Sequence, residues 1–211
     1  MVTLPSVAAE TEKKKDGRVA RGRRTQDAIV EALLALVGEG SPNPTAQEIA
    51  DRARVSLRTI RHHFPTRESL ILAAGARRAE VLPVLRVVRA RDRSLDERID
   101  RFVDERVAWL RATTELRAAA AAQESRSPSV RKMSRAVRQE RRRVTEATFE
   151  DVLDALPKRR RLCTLEALDV ASSGVTWDSL RGDQRLDVGD ATAVVRQLIA
   201  ALLASARRRK P

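Results

Sequence analysis

The sequence predicts an all-α protein, and three observations support that prediction. The chain of 211 residues has only eight glycines and eight prolines. Its most frequent apolar and charged residues include alanine, leucine, arginine and glutamate, which are strong helix formers. Apolar residues recur at three- and four-residue spacing along most of the chain, which is the period of a helix that buries one face. We therefore expect helices throughout, in a chain long enough to bury a sizeable core.

The chain is strongly basic, with a formal net charge of +13 and a pI near 11.2. So large a positive charge favours an acidic partner, of which nucleic acid is the commonest and a membrane surface the second. Arginine greatly outnumbers lysine, which occurs only six times, so a GC-rich genome explains part of the same excess. The charge by itself therefore leaves both explanations open.

Cysteine and hydropathy patterns exclude several classes of protein. Cys163 is the only cysteine, which excludes an intramolecular disulfide and a cysteine-based zinc site. The first fifteen residues place their charges after a weakly apolar stretch, the reverse of a secretion signal. No run reaches the roughly 20 apolar residues of a membrane span, and Arg196 interrupts the most apolar late stretch. We expect a cytoplasmic protein with no membrane partner.

Residues 1–24 show no apolar periodicity and end in the basic run KKKDGRVARGRR. Seven basic residues and Asp16 give residues 13–24 a local charge of +6. A segment of this composition cannot bury enough apolar surface to offset its chain entropy, which predicts a flexible arm over 1–24. Its Arg23 and Arg24 are candidates to follow a DNA groove or backbone, and a simply solvated tail is the alternative.

Residues 25–75 predict a compact unit of short helices. Apolar residues at helical spacing predict a first helix from an N-cap at Thr25 to a stop at Gly38. After the loop GEGSPNP, the residues TAQE form a capping box, in which Thr45 and Glu48 satisfy each other's backbone groups. This box begins a second, short helix.

A third helix follows almost at once. Ser56 is placed to cap it, it runs to about His63, and Pro65 closes it. Thr66 then caps a fourth helix that begins at Arg67. Two short helices joined by a short turn are typical of a helix-turn-helix.

The rest of the chain, residues 76–211, predicts a larger, wholly helical unit. The fourth helix is expected to continue to about residue 91, with a bend at Pro83 because proline removes a backbone donor. Apolar spacing predicts the remaining helices over residues 94–112, 113–122, 127–156, 158–173 and 187–206.

The third helix has an unusual surface. Its spacing places Ile60 and Phe64 against the neighbouring helices. The positions left facing outward are Leu57, Arg58, Arg61 and His62. Between residues 52 and 67 there are five arginines and no acidic residue. Arginine forms paired hydrogen bonds with phosphates and with guanine edges, so this face suits a polyanion.

The stretch TAQEIADRARVSLRTIRHHFPTRESL resembles the DNA-binding signature of the TetR (tetracycline repressor) family. The resemblance covers about residues 25–72. It implies a dimeric, all-helical regulator with an N-terminal helix-turn-helix and a C-terminal ligand-sensing domain, most often a repressor released from palindromic operator DNA by its ligand. Two residues depart from the family pattern: Arg54 stands where the turn usually has glycine, and Arg61 where an aromatic residue is usual.

The resemblance also implies which residues contact double-stranded DNA. Phosphate contacts would fall to Thr45, Thr59, Arg61, His63 and Arg67. Base edges would be read by Leu57, Arg58 and His62. Thr45 and Ser56, which belong to the same surface, are helix caps whether or not DNA is bound. For His63 the alternative is simple packing beside Phe64.

The same resemblance assigns two tasks to the C-terminal unit, dimerisation and sensing. The last two long helices, 158–173 and 187–206, would pair with their copies in a homodimer. Candidate interface residues, which also suit the core within one chain, are Leu162, Leu165, Leu168, Val195, Leu198 and Leu202. An effector of unknown identity would bind among the helices of 94–156. Its candidate lining residues, each of which also suits plain core, are Phe102, Val103, Arg106, Trp109, Met133, Val137 and Phe149.

A basic stripe marks the predicted helix over 127–156. Four arginines recur at i, i+4, i+7 and i+11, and therefore lie on one face: Arg131, Arg135, Arg138 and Arg142. A solvated face is the simplest interpretation. An anionic effector, such as a carboxylate or an acyl-thioester, and a second contact with DNA are the alternatives.

Two other functional classes compete with a DNA-binding regulator. A helical enzyme would be expected to show a phosphate-binding glycine loop, a G-x-S-x-G elbow or an H-E-x-x-H motif, and the sequence has none of these. The adjacent His62 and His63 point about 100° apart on a helix and have too few companions to hold a metal. We therefore predict no catalytic residue, metal or cofactor. The second competitor, an architectural protein, would bind DNA without sequence preference.

Overall fold

The computed structural model describes residues 7–41, 43–81 and 94–208, and this part of the chain contains ten α-helices and no strand. The chain forms two compact units, Met1–Arg77 and Arg78–Pro211. The helices are α1 (Val7–Gly38), α2 (Ala46–Ala53), α3 (Leu57–His63), α4 (Arg67–Val81), α5 (Leu95–Glu124), α6 (Pro128–Thr148), α7 (Glu150–Asp154), α8 (Lys158–Ala171), α9 (Gly174–Asp178) and α10 (Val188–Arg208), with a π-helical turn over Ser179–Asp183. The all-α fold class is therefore as predicted.

The N-terminal unit has a small apolar core that holds the two helices of the helix-turn-helix in place. Helix α2 packs against both α1 and α3. The buried side chains come from all four helices of the unit and include Ile29, Leu33, Val37, Ile49, Ala50, Ile60, Phe64, Leu70, Ile71 and Ala74. An ion pair ties α4 to α1, with Arg77 Nε 2.9 Å from Glu31 Oε1. The spacing of apolar residues in the sequence thus accounts for the faces that α2 and α3 bury.

Helix α1 begins much earlier than predicted. We expected a flexible arm over 1–24 and an N-cap at Thr25, whereas the helix already begins at Val7. Thr25 lies within it, and its hydroxyl donates to the carbonyl of Arg21, one turn earlier, at 3.0 Å. Residues 7–24 contain no proline and are rich in alanine, glutamate, lysine and arginine. Once the buried part of α1 exists, such residues extend it at little cost, because only nucleation is unfavourable.

The C-terminal unit is built around one apolar core. Helix α5 packs against α6 and α10, and α8 packs against the same two helices. Core side chains with almost no solvent exposure include Val103, Leu110, Phe149, Leu153, Leu168, Ile199 and Leu203. The long helices therefore converge on a single interior, which the sequence predicted only as a series of apolar faces.

Helix boundaries in this unit differ from the predicted ones at two places. The segments predicted as separate helices over 94–112 and 113–122 form one helix, α5. The hydroxyls of Thr113 and Thr114 donate to the carbonyls of Trp109 and Leu110, each at 2.8 Å, so threonine is accommodated without a break. Conversely, the helix predicted over 127–156 is divided at Phe149, whose backbone leaves the helical region as its ring becomes fully buried.

The segment expected to link the last two long helices is itself helical. It contains α9 and the π-helical turn, which bury Trp177 and Leu180. These two side chains join the core, and this burial supplies the stability that short helices lack in isolation. The predicted bend at Pro83 and the end of the fourth helix near residue 91 lie outside the described residues.

Helix α10 is long and apolar enough to span a membrane by length and composition alone. We had predicted no such stretch, because of Arg196. One face of the helix lies in the core of the unit, through Ala191, Val195, Ile199, Leu203 and Ala206. Packing in the core accounts for this face, whereas only 22% of the apolar window of the helix is buried.

Candidate nucleic-acid interface

The turn between α2 and α3 fixes how the two helices meet. Arg54 follows the last residue of α2 in the left-handed conformation, with φ 54° and ψ 45°. Its N–H donates to the carbonyl of Asp51 at 3.2 Å, and the N–H of Val55 donates to that of Ala50 at 3.0 Å. These bonds close the end of α2, as a glycine usually does at such a position. The tight turn is therefore formed despite the arginine.

The N-terminus of α2 is closed by the predicted capping box. Thr45 Oγ1 accepts from the N–H of Glu48 at 3.2 Å, and the N–H of Thr45 donates to Glu48 Oε2 at 2.6 Å. These hydrogen bonds to Thr45 lower the pKa of the Glu48 carboxyl below its usual value. Thr45 remains exposed to solvent, so its position at the helix start is open to a phosphate.

Ser56 caps α3 in the same way. Its Oγ accepts from the N–H of Thr59 at 3.1 Å and lies 2.8 Å from the Thr59 hydroxyl. Ser56 is exposed and Thr59 half-buried. The two hydroxyls predicted to belong to the DNA surface thus also bond each other, which fixes the first turn of α3.

The outward face of α3 presents cationic and imidazole side chains. Ile60 and Phe64 are buried in the core, and Arg58, Arg61 and His62 are exposed. The predicted base contact Leu57 and the predicted phosphate contact His63 are half-buried. The His62 and His63 rings meet edge to face, with centroids 5.1 Å apart. The structure therefore leaves Arg58, Arg61 and His62 open to solvent in a stretch with no acidic residue between positions 52 and 67, whereas Leu57, Thr59 and His63 are only partly accessible.

Arg67 has a structural contact that the sequence did not reveal. Its Nη1 donates to the carbonyl of Pro44 at 2.8 Å, directly before the α2 cap. The side chain is half-buried, and this desolvation lowers its pKa below the usual arginine value. One of its terminal nitrogens is therefore committed to holding the start of α4 against the start of α2. Its Nη2 is enclosed and has no hydrogen-bond partner among the described residues, so the predicted phosphate contact would require this side chain to move.

Arg52 is the second arginine of this region with a partner. Its Nη1 lies 3.0 Å from Glu39 Oε2, and this ion pair raises the pKa of Arg52. The remaining arginines of the turn and of α3 are Arg54, Arg58 and Arg61, all exposed. Glu39 comes from the loop after α1, and nothing in the local sequence marked it as a partner. Three of the five arginines between residues 52 and 67 therefore make up the exposed cationic surface, because Arg52 and Arg67 bind other groups of the protein.

Arg23 and Arg24 lie on α1 and are exposed. They belong to a helix rather than to the flexible arm that we predicted. Any contact that they make with DNA would therefore come from a helical surface.

The structure distributes the predicted effector-binding residues between the core and the surface of the C-terminal unit. Phe102, Val103, Arg106 and Phe149 are buried, Trp109 and Met133 are half-buried, and Val137 is exposed, with 41% of its surface accessible. Two clefts of about 550 and 570 Å³ open elsewhere on the same unit. The first is lined by residues of α5, α7 and α10, including Arg98 and Asp151, and the second by residues of α5 and the π-helical turn.

The predicted dimer residues divide into two groups. Leu165, Leu168 and Val195 are almost completely buried in the core of their own chain, which is the alternative that the sequence left open for them. Leu162 and Leu198 are exposed by 54% and 41% of their surface, and Leu202 is half-buried. Only this second group is available to a partner.

The basic stripe on α6 is partly neutralised within the chain. Arg138 pairs with Glu124 at 2.9 Å and Arg142 pairs with Glu166 at 2.7 Å. Arg135 is exposed and Arg131 half-buried. Among the described residues no group of three or more histidine, cysteine, aspartate and glutamate side chains is placed to hold a metal ion.

Known proteins resemble this chain at two levels. Residues 29–74 match the family described as bacterial regulatory proteins, tetR family. No protein of curated function matches the sequence. The fold resembles a transcriptional regulator from Rhodococcus sp. Rha1, with a TM-score of 0.67, 17% identity, and coverage of 85% of this chain and 96% of that one. A tetR-family transcriptional regulator from Streptomyces coelicolor gives a TM-score of 0.64 at 23% identity, covering 88% and 85% of the two chains. A putative transcriptional regulator from Pseudomonas aeruginosa PAO1 gives 0.61 at 17% identity, covering 88% and 93%.

Proposed function

We propose that this chain, whose residues 29–74 match the tetR family of bacterial regulatory proteins, is a DNA-binding transcriptional regulator that binds palindromic operator DNA as a homodimer and leaves it when a small-molecule effector binds. The observation that carries the proposal is the solvent-exposed face of α3, where Arg58, Arg61 and His62 stand in a region with no acidic residue. Family members bind DNA and usually act as dimers. We further propose that the chain is cytoplasmic, has no membrane partner and catalyses no reaction.

Within this face, charge and position separate two kinds of DNA contact. Arg61, with the capped starts of α2 and α3 and with Arg23 and Arg24 on α1, supports phosphate contacts, which fix position without reading sequence. Arg58 lies in the first turn of α3, where a recognition helix enters the major groove, and it supports contacts with base edges. Leu57 and His62 flank it on the same helix.

The surfaces of α8 and α10 support a homodimer. On α10 the exposed positions 193, 198 and 201 are alanine, leucine and alanine, and on α8 Leu162 and Val170 are exposed. Exposed apolar side chains on two neighbouring helices of a regulator suit an interface with a second copy. A two-fold dimer would present two copies of α3 to half-sites about 34–36 Å apart on the DNA.

Two arginine variants test the DNA contacts. Arg61→Ala is expected to weaken binding to operator and random DNA alike and to reduce the salt dependence by about one phosphate contact. Arg58→Ala is expected to weaken operator binding by about 1–3 kcal/mol and leave random DNA nearly unchanged. Fluorescence anisotropy across a salt series measures both effects. If the two variants lost operator and random affinity in equal proportion, the assignment of roles would be wrong.

A charge placed on α10 tests the dimer. Leu198→Glu is expected to shift the protein to a monomer, because a buried unpaired carboxylate is strongly unfavourable at an interface. Val137→Glu is the matched control, since Val137 on α6 has the same 41% exposure as Leu198. Sedimentation velocity distinguishes the two states. A dimer that survives Leu198→Glu would place the interface elsewhere.

A further inference from the structure

Three arginines are buried in the described part of the C-terminal unit, and two of them have carboxylate partners. Arg98 binds Asp151 through two hydrogen bonds of 2.8 Å each. Arg141 binds Asp169 through Nε at 3.0 Å and Nη2 at 3.1 Å. Paired bonds of this kind are how a buried guanidinium is normally compensated. Among the residues described, Arg106 is the buried arginine without such a carboxylate.

Arg106 projects from α5 and has no exposed surface. Its Nη2 donates to the carbonyl of Arg141 at 3.2 Å and to Thr145 Oγ1 at 2.9 Å. Its guanidinium carbon lies 4.8 Å from the centre of the Phe102 ring. Its Nε and Nη1 are enclosed and have no hydrogen-bond acceptor within the described part of the chain. Since Nε carries one hydrogen and Nη1 two, most of the donors of this side chain are unused.

The charge of this cluster is also unbalanced. Both oxygens of Asp169 are engaged by Arg141, so two buried guanidiniums share one carboxylate. Burial, followed by the nearby charge of Arg141, lowers the pKa of Arg106 to about 9, and Asp169 opposes the shift. Arg106 therefore stays protonated at neutral pH, and the cluster of Arg106, Arg141 and Asp169 carries one excess positive charge. A buried charge without a partner is strongly unfavourable, and proteins accommodate such a cost mainly at functional sites.

We propose that Arg106 is the anchor of the effector site and that the effector carries a carboxylate, which accepts a hydrogen bond from Nε or from Nη1, the two nitrogens of Arg106 that lie on different edges of the guanidinium. This inference rests on the proposed function, in which a small molecule releases the regulator from DNA. A singly charged carboxylate matches the single excess charge, and Phe102, Val103 and Phe149 offer apolar surface in the same core for the rest of an organic acid.

The enclosed position of Arg106 gives a route from binding to regulation. Neither of the two clefts is lined by Arg106, which is held between α5 and α6. An anion reaches its free nitrogens only when these helices separate. If the ligand binds the form with α5 and α6 separated and DNA binds the form with these helices in contact, ligand binding weakens DNA binding. The release mechanism requires this coupling.

The first test needs no ligand. Arg106→Met replaces the guanidinium by an apolar side chain of similar reach, and its thermal midpoint is expected to equal or exceed that of the wild type. Arg98→Met is the matched control, and it is expected to lower the midpoint because Asp151 loses its partner. An Arg106→Met protein that is destabilised as much as Arg98→Met, or that fails to fold, would show that Arg106 is a structural residue and overturn the proposal.

The second test uses defined probes with the full-length protein. Sodium acetate, hexanoate, decanoate and benzoate are compared with their primary amides and with inorganic phosphate, at equal ionic strength, by thermal shift and calorimetry. At least one carboxylate is expected to bind and its amide not, with affinity at least about tenfold weaker in Arg106→Met. Binding of the amide as well, of phosphate alone, or of no carboxylate would reject the assignment, as would unchanged affinity in the variant.

Operator binding in the same samples separates this inference from the proposed function. The carboxylate that binds is expected to release wild-type protein from operator DNA and to have little effect on Arg106→Met. Specific DNA binding without any carboxylate response would reject the anion site and leave the DNA-binding proposal intact. A wild-type protein with no specific DNA binding would reject the proposed function itself.

Discussion

Arg54→Gly is expected to stabilise the N-terminal unit. Arg54 ends α2 with φ 54° and ψ 45°, a left-handed conformation that costs a residue with a Cβ about 1–2 kcal/mol. Glycine removes this cost. Its greater conformational freedom in the unfolded chain, however, lowers the free energy of unfolding by about 0.5–1 kcal/mol. The expected net gain is about 0.5–1 kcal/mol. The arginine side chain itself is exposed, so little else is lost.

Thermal unfolding followed by circular dichroism measures this gain. For a unit of 60–100 residues, about 1 kcal/mol shifts the thermal midpoint by roughly 4–8 °C. The unfolding midpoint of the N-terminal unit should therefore rise by about 2–8 °C. Arg54→Ala is the control, because it keeps the Cβ and should remain close to the wild type. If Arg54→Gly were no more stable than Arg54→Ala, the left-handed turn would not be a source of strain, and the reasoning would fail.

Three further changes test other parts of the fold. Ser56→Ala should cost about 1 kcal/mol in chemical denaturation because it removes a helix cap, whereas Ser56→Gly should cost only a few tenths; equal losses would argue against capping. Gly174→Ala places a Cβ 2.5 Å from the Nε of Arg117 and should destabilise the protein by about 1–3 kcal/mol. Gly182→Ala is the control, because its Cβ would have no atom of the described residues within 4 Å. Similar stabilities of the two variants would contradict crowding at Gly174. Hydrogen bonds from the buried Arg98 on α5 lower the pKa of the Asp151 carboxyl in the folded protein. The stability that this pair contributes is therefore present above the unfolded pKa of about 3.9. It is lost as the pH falls through the lower pKa that Asp151 has in the folded protein. Asp151→Asn should therefore be less stable than wild type at pH 7, by a margin that shrinks in acid; a margin independent of pH would refute this.

The local features of the N-terminal unit could be predicted because their causes lie within a few residues. The Thr45–Glu48 box and the Ser56 cap join residues three positions apart, and both occur as expected. The strained turn at Arg54 could also be expected, since the residue stands where the family pattern has glycine. Short-range hydrogen bonds of this kind depend little on the rest of the fold.

Features that depend on tertiary packing were not predictable from the sequence. The break at Phe149 is marked by no glycine or proline and follows from burial of its ring against Phe102, 5.1 Å away between centroids. Leu162 and Leu165 are three residues apart on α8 and chemically identical, yet one is exposed and the other is in the core. Periodicity identifies an apolar face but not which part of it a second helix covers.

The same limit applies to charge. Arg98 and Arg141 are indistinguishable in the sequence from the many arginines that face solvent, whereas Arg106 is among the predicted effector-lining residues. Their burial and their pairing follow from helices that lie far apart along the chain, such as Arg98 with Asp151, 53 residues away. The uncompensated position of Arg106 therefore becomes visible only when its neighbours are known.

Selection of genomic DNA fragments with the purified protein at ~150 mM salt tests the central claim most directly. The recovered fragments should share an inverted repeat that two protomers occupy together. The affinity for this site should exceed that for random DNA by roughly 10³-fold or more at the same salt concentration. Recovery of fragments with no common sequence, bound as tightly as random DNA, would contradict the account and indicate an architectural DNA-binding protein instead.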